Sequence, residues 1–289
     1  MMKHFTSLLF LSVFVLFSCS DAGSDWEPDG TGTAGKETRS IGVDFDAASL
    51  SLFAAADITE VGIFVYLKDS MVFGKNLPLN GGNLQVEVPL GENLETFAVA
   101  GFGSLTDTDS LSKVTVWQDM ACAREIFISP VTAFISDRSV SSVNLELGRI
   151  VGQAVFQPTE TAAQLSAATG FDAMDVVFNQ VAIGYKPKSK SVILNDVTIP
   201  TNLANGYVAS VYSFPSPADE LGSIEVVYRK GTTEVNRTLR PLDAPIRYES
   251  SKRTVVYMPV LNPDYLQQDW TRAVPAGSRQ PLKIEEYTF

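Results

Sequence analysis

Ile41-Gly42-Val43-Asp44-Phe45 carries the decision about fold. Ile41, Val43 and Phe45 alternate with Gly42 and Asp44, which sets the apolar side chains on one face of an extended strand. Working outward, Val61-Gly62-Ile63-Phe64-Val65-Tyr66 is β-branched and aromatic, as a strand buried on a core should be. Leu84, Val86 and Val88 alternate with Gln85 and Glu87, behind the turn-forming run Asn80-Gly81-Gly82-Asn83. Residues 97–102, 114–117, 126–128 and 143–147 continue the pattern. Roughly seven short strands in little more than a hundred residues predict one β-sandwich over 41–149.

A second set fills 150–289. Strands are expected at 150–156, 176–183, 192–194, 207–214, 224–228, 235–239, 255–260 and 282–287. Residues 159–169 are rich in alanine, with Thr161 and Gln164 spaced as a capping box and Gly170 placed to stop a helix. Lys230-Gly231-Thr232 reads as a hairpin turn, and Pro215, Pro217, Pro241, Pro245 and Pro263 as joints between strands. The expected fold class is all-β, two tandem β-sandwiches with one short helix in the second.

Ahead of the first strand, residues 1–18 read as a lipoprotein signal. Lys3 supplies a basic start, and 5–17 are apolar apart from Thr6, Ser7 and Ser12. That run is shorter than the ~20 residues a bilayer demands, so it is a secretory segment rather than a membrane span. It closes on Leu16-Phe17-Ser18-Cys19, which resembles the bacterial lipobox, where the signal is cut before a cysteine whose thiol takes a diacylglycerol. Cys19 is the expected lipidation site and the link to the membrane. Residues 19–40 then form this lipidated cysteine and a flexible tether, in which Asp21, Asp25, Glu27 and Asp29 lie among Gly, Ser, Thr and Pro. Acidic residues just after a lipidated cysteine resemble the export signal of surface lipoproteins in Bacteroidetes-type bacteria.

The net charge of −11 becomes −12 once Lys3 leaves with the signal. Such a surface disfavours nucleic acid as a partner, and also a flat approach to an anionic bilayer. The sole histidine, His4, lies in the signal, which removes the commonest general base and zinc ligand from the mature chain. With Cys19 acylated, Cys122 has no disulfide partner and reads as a small buried hydrophobe. No cofactor, metal or catalytic residue is expected. Asp107-Thr108-Asp109-Ser110 has calcium-like spacing without the glycine and distal glutamate of an EF-hand, and reads as a polar turn closing a hairpin. Asp44 and Asp46 are expected on one strand face, either as a coupled carboxylate pair or as ordinary solvent-facing groups. Tyr265, Trp270 and Tyr287 cluster near Gln267, Gln268 and Asp269. Tyr265 and Trp270 are candidate glycan contacts, with aromatics capping the end of a core as the alternative.

The lipobox, the acidic tether, residues 38–45, the strand Val61–Tyr66, the strand at 97–102 and the passage 143–153 follow one another in an order that resembles the fimbrillin family, the subunits and anchors of type V pili. The resemblance implies two transthyretin-like, Greek-key domains, with the interdomain junction around Arg149 in Leu147-Gly148-Arg149. It implies a structural or adhesive lipoprotein of the outer membrane surface, without enzymatic activity. Its implied partners are other pilus subunits, by donor-strand-type pairing, or a surface protein or glycan. Many family members are cut after an arginine by a trypsin-like protease. Arg39 is the candidate here, placed ahead of the first clear strand, where a cut would free the body from its lipid without opening a groove. That suits a minor or anchor subunit. A lipid-anchored glycan-binding protein is the alternative, and a hydrolase on a β scaffold the third.

Overall fold

The computed structural model describes residues 37–79, 84–168, 170–215, 220–261 and 283–288. The described residues form four sheets. β1 (Thr38–Phe45) runs between β4 (Leu84–Pro89), antiparallel, and β10 (Ser142–Leu145), parallel. Facing them are β2 (Glu60–Leu67), β3 (Ser70–Pro78), β5 (Asn93–Ala100), β8 (Phe127–Ile128) and β11 (Gly148–Arg149), in the order β11-β8-β5-β2-β3, with β9 (Thr132–Ile135) also on β5. Alternation does its work here: in β4, Leu84, Val86 and Val88 point inward and Gln85 and Glu87 outward. With Ile41, Val43, Ile63, Val65, Ala98, Phe127 and Leu145 they form one core. Each large side chain so buried contributes roughly 1.5–3 kcal/mol by leaving water.

Three expectations change in this half. The first strand starts at Thr38, so Arg39 lies inside it rather than on a tether. Asp46 is not on a strand face with Asp44. It is the N-cap of α1 (Ala47–Ala55), its carboxylate accepting from the Ser49 amide at 2.9 Å, so no carboxylate pair forms. α1 is therefore a helix additional to the one expected in the second half. It is fastened by Ser49, whose Oγ accepts from the Leu147 amide at 2.9 Å.

The remaining sheets hold the second half. β12 (Gly152–Pro158) pairs in parallel with β18 (Lys252–Met258) and antiparallel with β15 (Ala209–Ser213), and β19 (Lys283–Thr288) adds to β18. Opposite lie β13 (Ala173–Lys186), β14 (Ser191–Asn202), β16 (Glu220–Lys230) and β17 (Thr233–Arg247). The Gly231-Thr232 turn joins β16 to β17, and Gly231 has φ +59°, as a tight hairpin needs. The capping box is present: Thr161 accepts from the Gln164 amide at the start of α2 (Ala162–Ala167). Pro241 and Pro245 lie within β17, the edge strand of its sheet, at the register shift that separates the Ser223–Pro241 pair from the Leu221–Ile246 pair.

β7 (Thr115–Trp117) does not stay with the first half. It pairs antiparallel with β13 through Gly184 and Tyr185, and carries β6 (Ser104–Thr106) on its other side. Strands from both halves of the chain therefore share a sheet. A third core fills the joint, uniting Phe64, Tyr66, Phe97, Leu105 and Val116 with Tyr185, Tyr212 and Phe214. This is an all-β sandwich architecture in which the halves are interlocked.

Candidate functional site

The expected sites fall in different places. Cys19, Tyr265 and Trp270 lie outside the described residues, as does the turn at 80–83. Arg39 is paired across to Val88, and its guanidinium donates to the Asp137 carbonyl oxygen. Asp107-Thr108-Asp109-Ser110 is the connection between β6 and β7, a polar turn as expected. Ser110 Oγ donates to the Asp69 carboxylate at 2.6 Å, and the Ser110 and Ser112 hydroxyls hold that carboxyl below its usual range. Cys122 is 1% exposed, and burial pushes its thiol up to about 12.

At the junction, Arg149 donates from Nε and Nη2 to one oxygen of Glu125, at 3.0 and 2.7 Å. The other Glu125 oxygen accepts from the Tyr212 hydroxyl at 3.2 Å, and the guanidinium lies over the Phe127 ring. The triplet around Arg149 thus sits where the chain passes from β11 into β12.

Of the aromatic cluster near the C-terminus, Tyr287 is on β19. Its hydroxyl donates to Glu285, as does that of Tyr257, and Lys283 pairs with the same carboxylate at 2.5 Å. Lys283 first, then the two hydroxyls, holds Glu285 down at about 2.

A groove that sequence reasoning missed lies on the sheet shared by the two halves. In β13 the register with β14 slips between Phe178 and Val181, a β-bulge. Gln180 sits there with φ +56°, and its amide donates to the Asp196 carboxylate at 2.9 Å. Asn179 donates to Ser223 Oγ at 2.9 Å. Beside the bulge is a cavity of about 390 Å³ lined in part by Trp117, Gln118, Asp119, Asn195 and Asp196. A second, of about 430 Å³, is lined by Asn179, Gln180, Asp196, Gly222 and Ser223. Asp196 belongs to both. Gln118 is 7% exposed, and neither its side-chain oxygen nor its nitrogen has a hydrogen-bond partner. The signal available in sequence was the polar pair Asn179-Gln180 interrupting an apolar strand, matched by Asn195-Asp196 on the next.

The fold and these surfaces define an all-β sandwich protein without a recognisable catalytic constellation among the described residues. No protein-family model and no curated protein sequence matches the chain. Solved structures do. One from Bacteroides ovatus, described as a candidate adhesin, shares 10% identity, covers 83% of this chain and 95% of its own, and superposes with a TM-score of 0.52. The two have the same fold. A Bacteroides thetaiotaomicron protein described as a candidate polysaccharide-binding protein shares 12% identity over 76% of this chain and 91% of its own, with a TM-score of 0.49. A fimbrial assembly protein from Parabacteroides distasonis shares 10% identity over 77% and 91%, with a TM-score of 0.41.

Proposed function

We propose that this chain is a fimbrillin-like adhesive subunit of the cell surface, held to the outer membrane by lipid on Cys19 and joined to neighbours by strand addition. The observation that carries the reading is β19. It is the outer strand of its sheet, is paired with β18, and has side chains that are mostly exposed. A strand so placed leaves its own sheet at modest cost, and the β18 edge beneath it offers N–H and C=O groups to a strand from a neighbour. The adhesin-like fold of the Bacteroides ovatus protein supports the same role. Arg39 is the candidate processing site. Because it lies in β1, a cut there leaves residues 40–45 in the sheet, which suits an anchor or minor subunit better than a groove-opening shaft subunit. The Asp44–Asp46 carboxylate pair that a hydrolase reading would use does not form, because Asp46 caps α1.

A disulfide between β18 and β19 tests it. Tyr257 and Lys283 are facing partners, so Y257C/K283C locks β19 in its own sheet. Oxidised, the variant should remain a folded monomer and fail to associate with wild-type subunits; reduction should restore association. Equal association in both states would refute strand addition. Intact-mass analysis of the surface protein tests the anchor: a diacylated Cys19 is expected, and an N-terminus at Ser40 would mean release by cleavage after Arg39.

A further inference from the structure

We propose that the chain is built to carry tension along its length, with one mechanical clamp in each half. The clamps do not depend on strand addition, and only the load path from the membrane rests on the anchor at Cys19 proposed above. The observation is topological. Among the described residues two strand pairings are parallel, and every other is antiparallel. One joins β1, which opens the first half, to β10, the last strand of its sheet. The other joins β12, which opens the second half, to β18, behind which the chain runs on to β19.

In a parallel pair the start of one strand and the end of the other lie at opposite ends of the ladder. Tension that enters β1 at Thr38 and leaves β10 at Leu145 therefore drags the two strands past each other, and the ladder from Gly42–Ser142 to Phe45–Leu145 takes the load together. β4 grips the other flank of β1 from Thr38–Pro89 to Val43–Leu84 and resists the same displacement. An antiparallel pair in this position would set both loaded ends side by side, and its ladder would open one bond at a time. From β10 the chain reaches β12 through 146–151, where Leu147 and Val151 are buried. The pairs from Gln153–Arg253 to Pro158–Met258 then repeat the arrangement over a longer ladder. Sliding offers no easy escape. Ile41 and Val43, Ala154 and Phe156, and Val256 and Met258 are all fully buried, and a one-residue slip would turn each to the opposite face. β19 lies outside the clamp. It is antiparallel to β18 with Thr288 beside Lys252, so a pull on the C-terminus peels it from that end first.

Single-molecule force spectroscopy on the full mature chain tests it, with C19S to remove the anchor and S141C to add a thiol at an exposed position just ahead of β10. Cys122 is buried and takes no handle. The same protein is pulled in two directions, so its equilibrium stability is common to both. Between the N-terminus and the added thiol, force enters β10 at its Ser142 end and should peel it from β1 bond by bond. Between the two termini, β19 should leave early and weakly. Each half should then rupture at about twice the peeling force or more at the same loading rate, because forced unfolding follows the barrier along the pulled direction. End-to-end rupture of either half at or below the peeling force would overturn the proposal.

Discussion

At the scale of single residues, Glu125 is the group on which the junction turns. One of its oxygens takes two donors from Arg149 and the other takes the Tyr212 hydroxyl, so it links β11 to β15 through side chains alone. Arg149 and Glu125 side chains are 11% and 24% exposed. Removing the carboxylate's charge would weaken two charge-assisted hydrogen bonds to a largely buried guanidinium. Glu125→Gln should therefore cost about 1–3 kcal/mol of unfolding free energy, measured by urea titration; an unchanged midpoint would mean that solvent already screens the pair. A second residue-scale expectation concerns alkali. Burial raises the pKa values of Tyr66, Tyr228 and Tyr248, and pushes Cys122 up to about 12. Tyr66 and Tyr248 hydroxyls also lack partners. A group whose pKa is higher folded than unfolded adds stability that is intact below the unfolded value. That stability is lost as pH climbs toward the folded one. The melting temperature should hold to about pH 9 and fall steeply above pH 10, where the unfolded chain's tyrosines begin to ionise. A flat profile to pH 11.5 would contradict it.

At the scale of elements, the same reasoning with the opposite sign applies to β19. Glu285 is held at about 2, against an ordinary 4.5, by Lys283, Tyr287 and Tyr257. A depressed carboxylate supports pairing fully above 4.5, and that support is lost as pH falls toward 2. The group is exposed, so the effect is local: amide protection in 283–288 should drop between pH 5 and pH 2.5 before that of β18 does. Hydrogen exchange corrected for intrinsic rates would show it, and equal protection at both pH values would rule it out. Elements also show what was legible in the sequence. β4 could be read because Leu84, Val86 and Val88 face one core while the opposite side meets water. β3 has no counterpart among the expected strands, since Gly74, Lys75 and Asn76 break its apolar pattern on an edge strand. α1 was passed over because just Ser49 and Phe53 of its nine residues are buried, too narrow a stripe to register as a helical period. Its cap was visible as Asp46 three residues before Ser49, but a carboxylate two residues after Asp44 was equally good as a strand residue.

For the whole molecule, the sequence pattern placed a clean break near Gly148-Arg149, and the alternation of strands could not reveal otherwise. Period two says which face of a strand is buried, not which sheet the strand joins. Residues 115–117 read as a strand and are one, yet they pair with β13 beyond the break. The groove shares this origin, because Trp117 and Gln118 from the first half lie beside Asn195 and Asp196 from the second. The interlocking has a thermodynamic consequence. Phe214 is fully buried and stacks on Tyr185 with centroids 5.4 Å apart, in the same cluster as Phe64, Tyr66 and Phe97. Two independent sandwiches would melt separately, and loss of Phe214 would lower one transition alone. With a sheet and a core in common, the chain should instead melt in one calorimetric transition whose van't Hoff and calorimetric enthalpies agree. Phe214→Ala should cost about 3–5 kcal/mol and shift that transition as a unit. Two resolved transitions, with just the second moved by Phe214→Ala, would show that the shared sheet does not couple the halves.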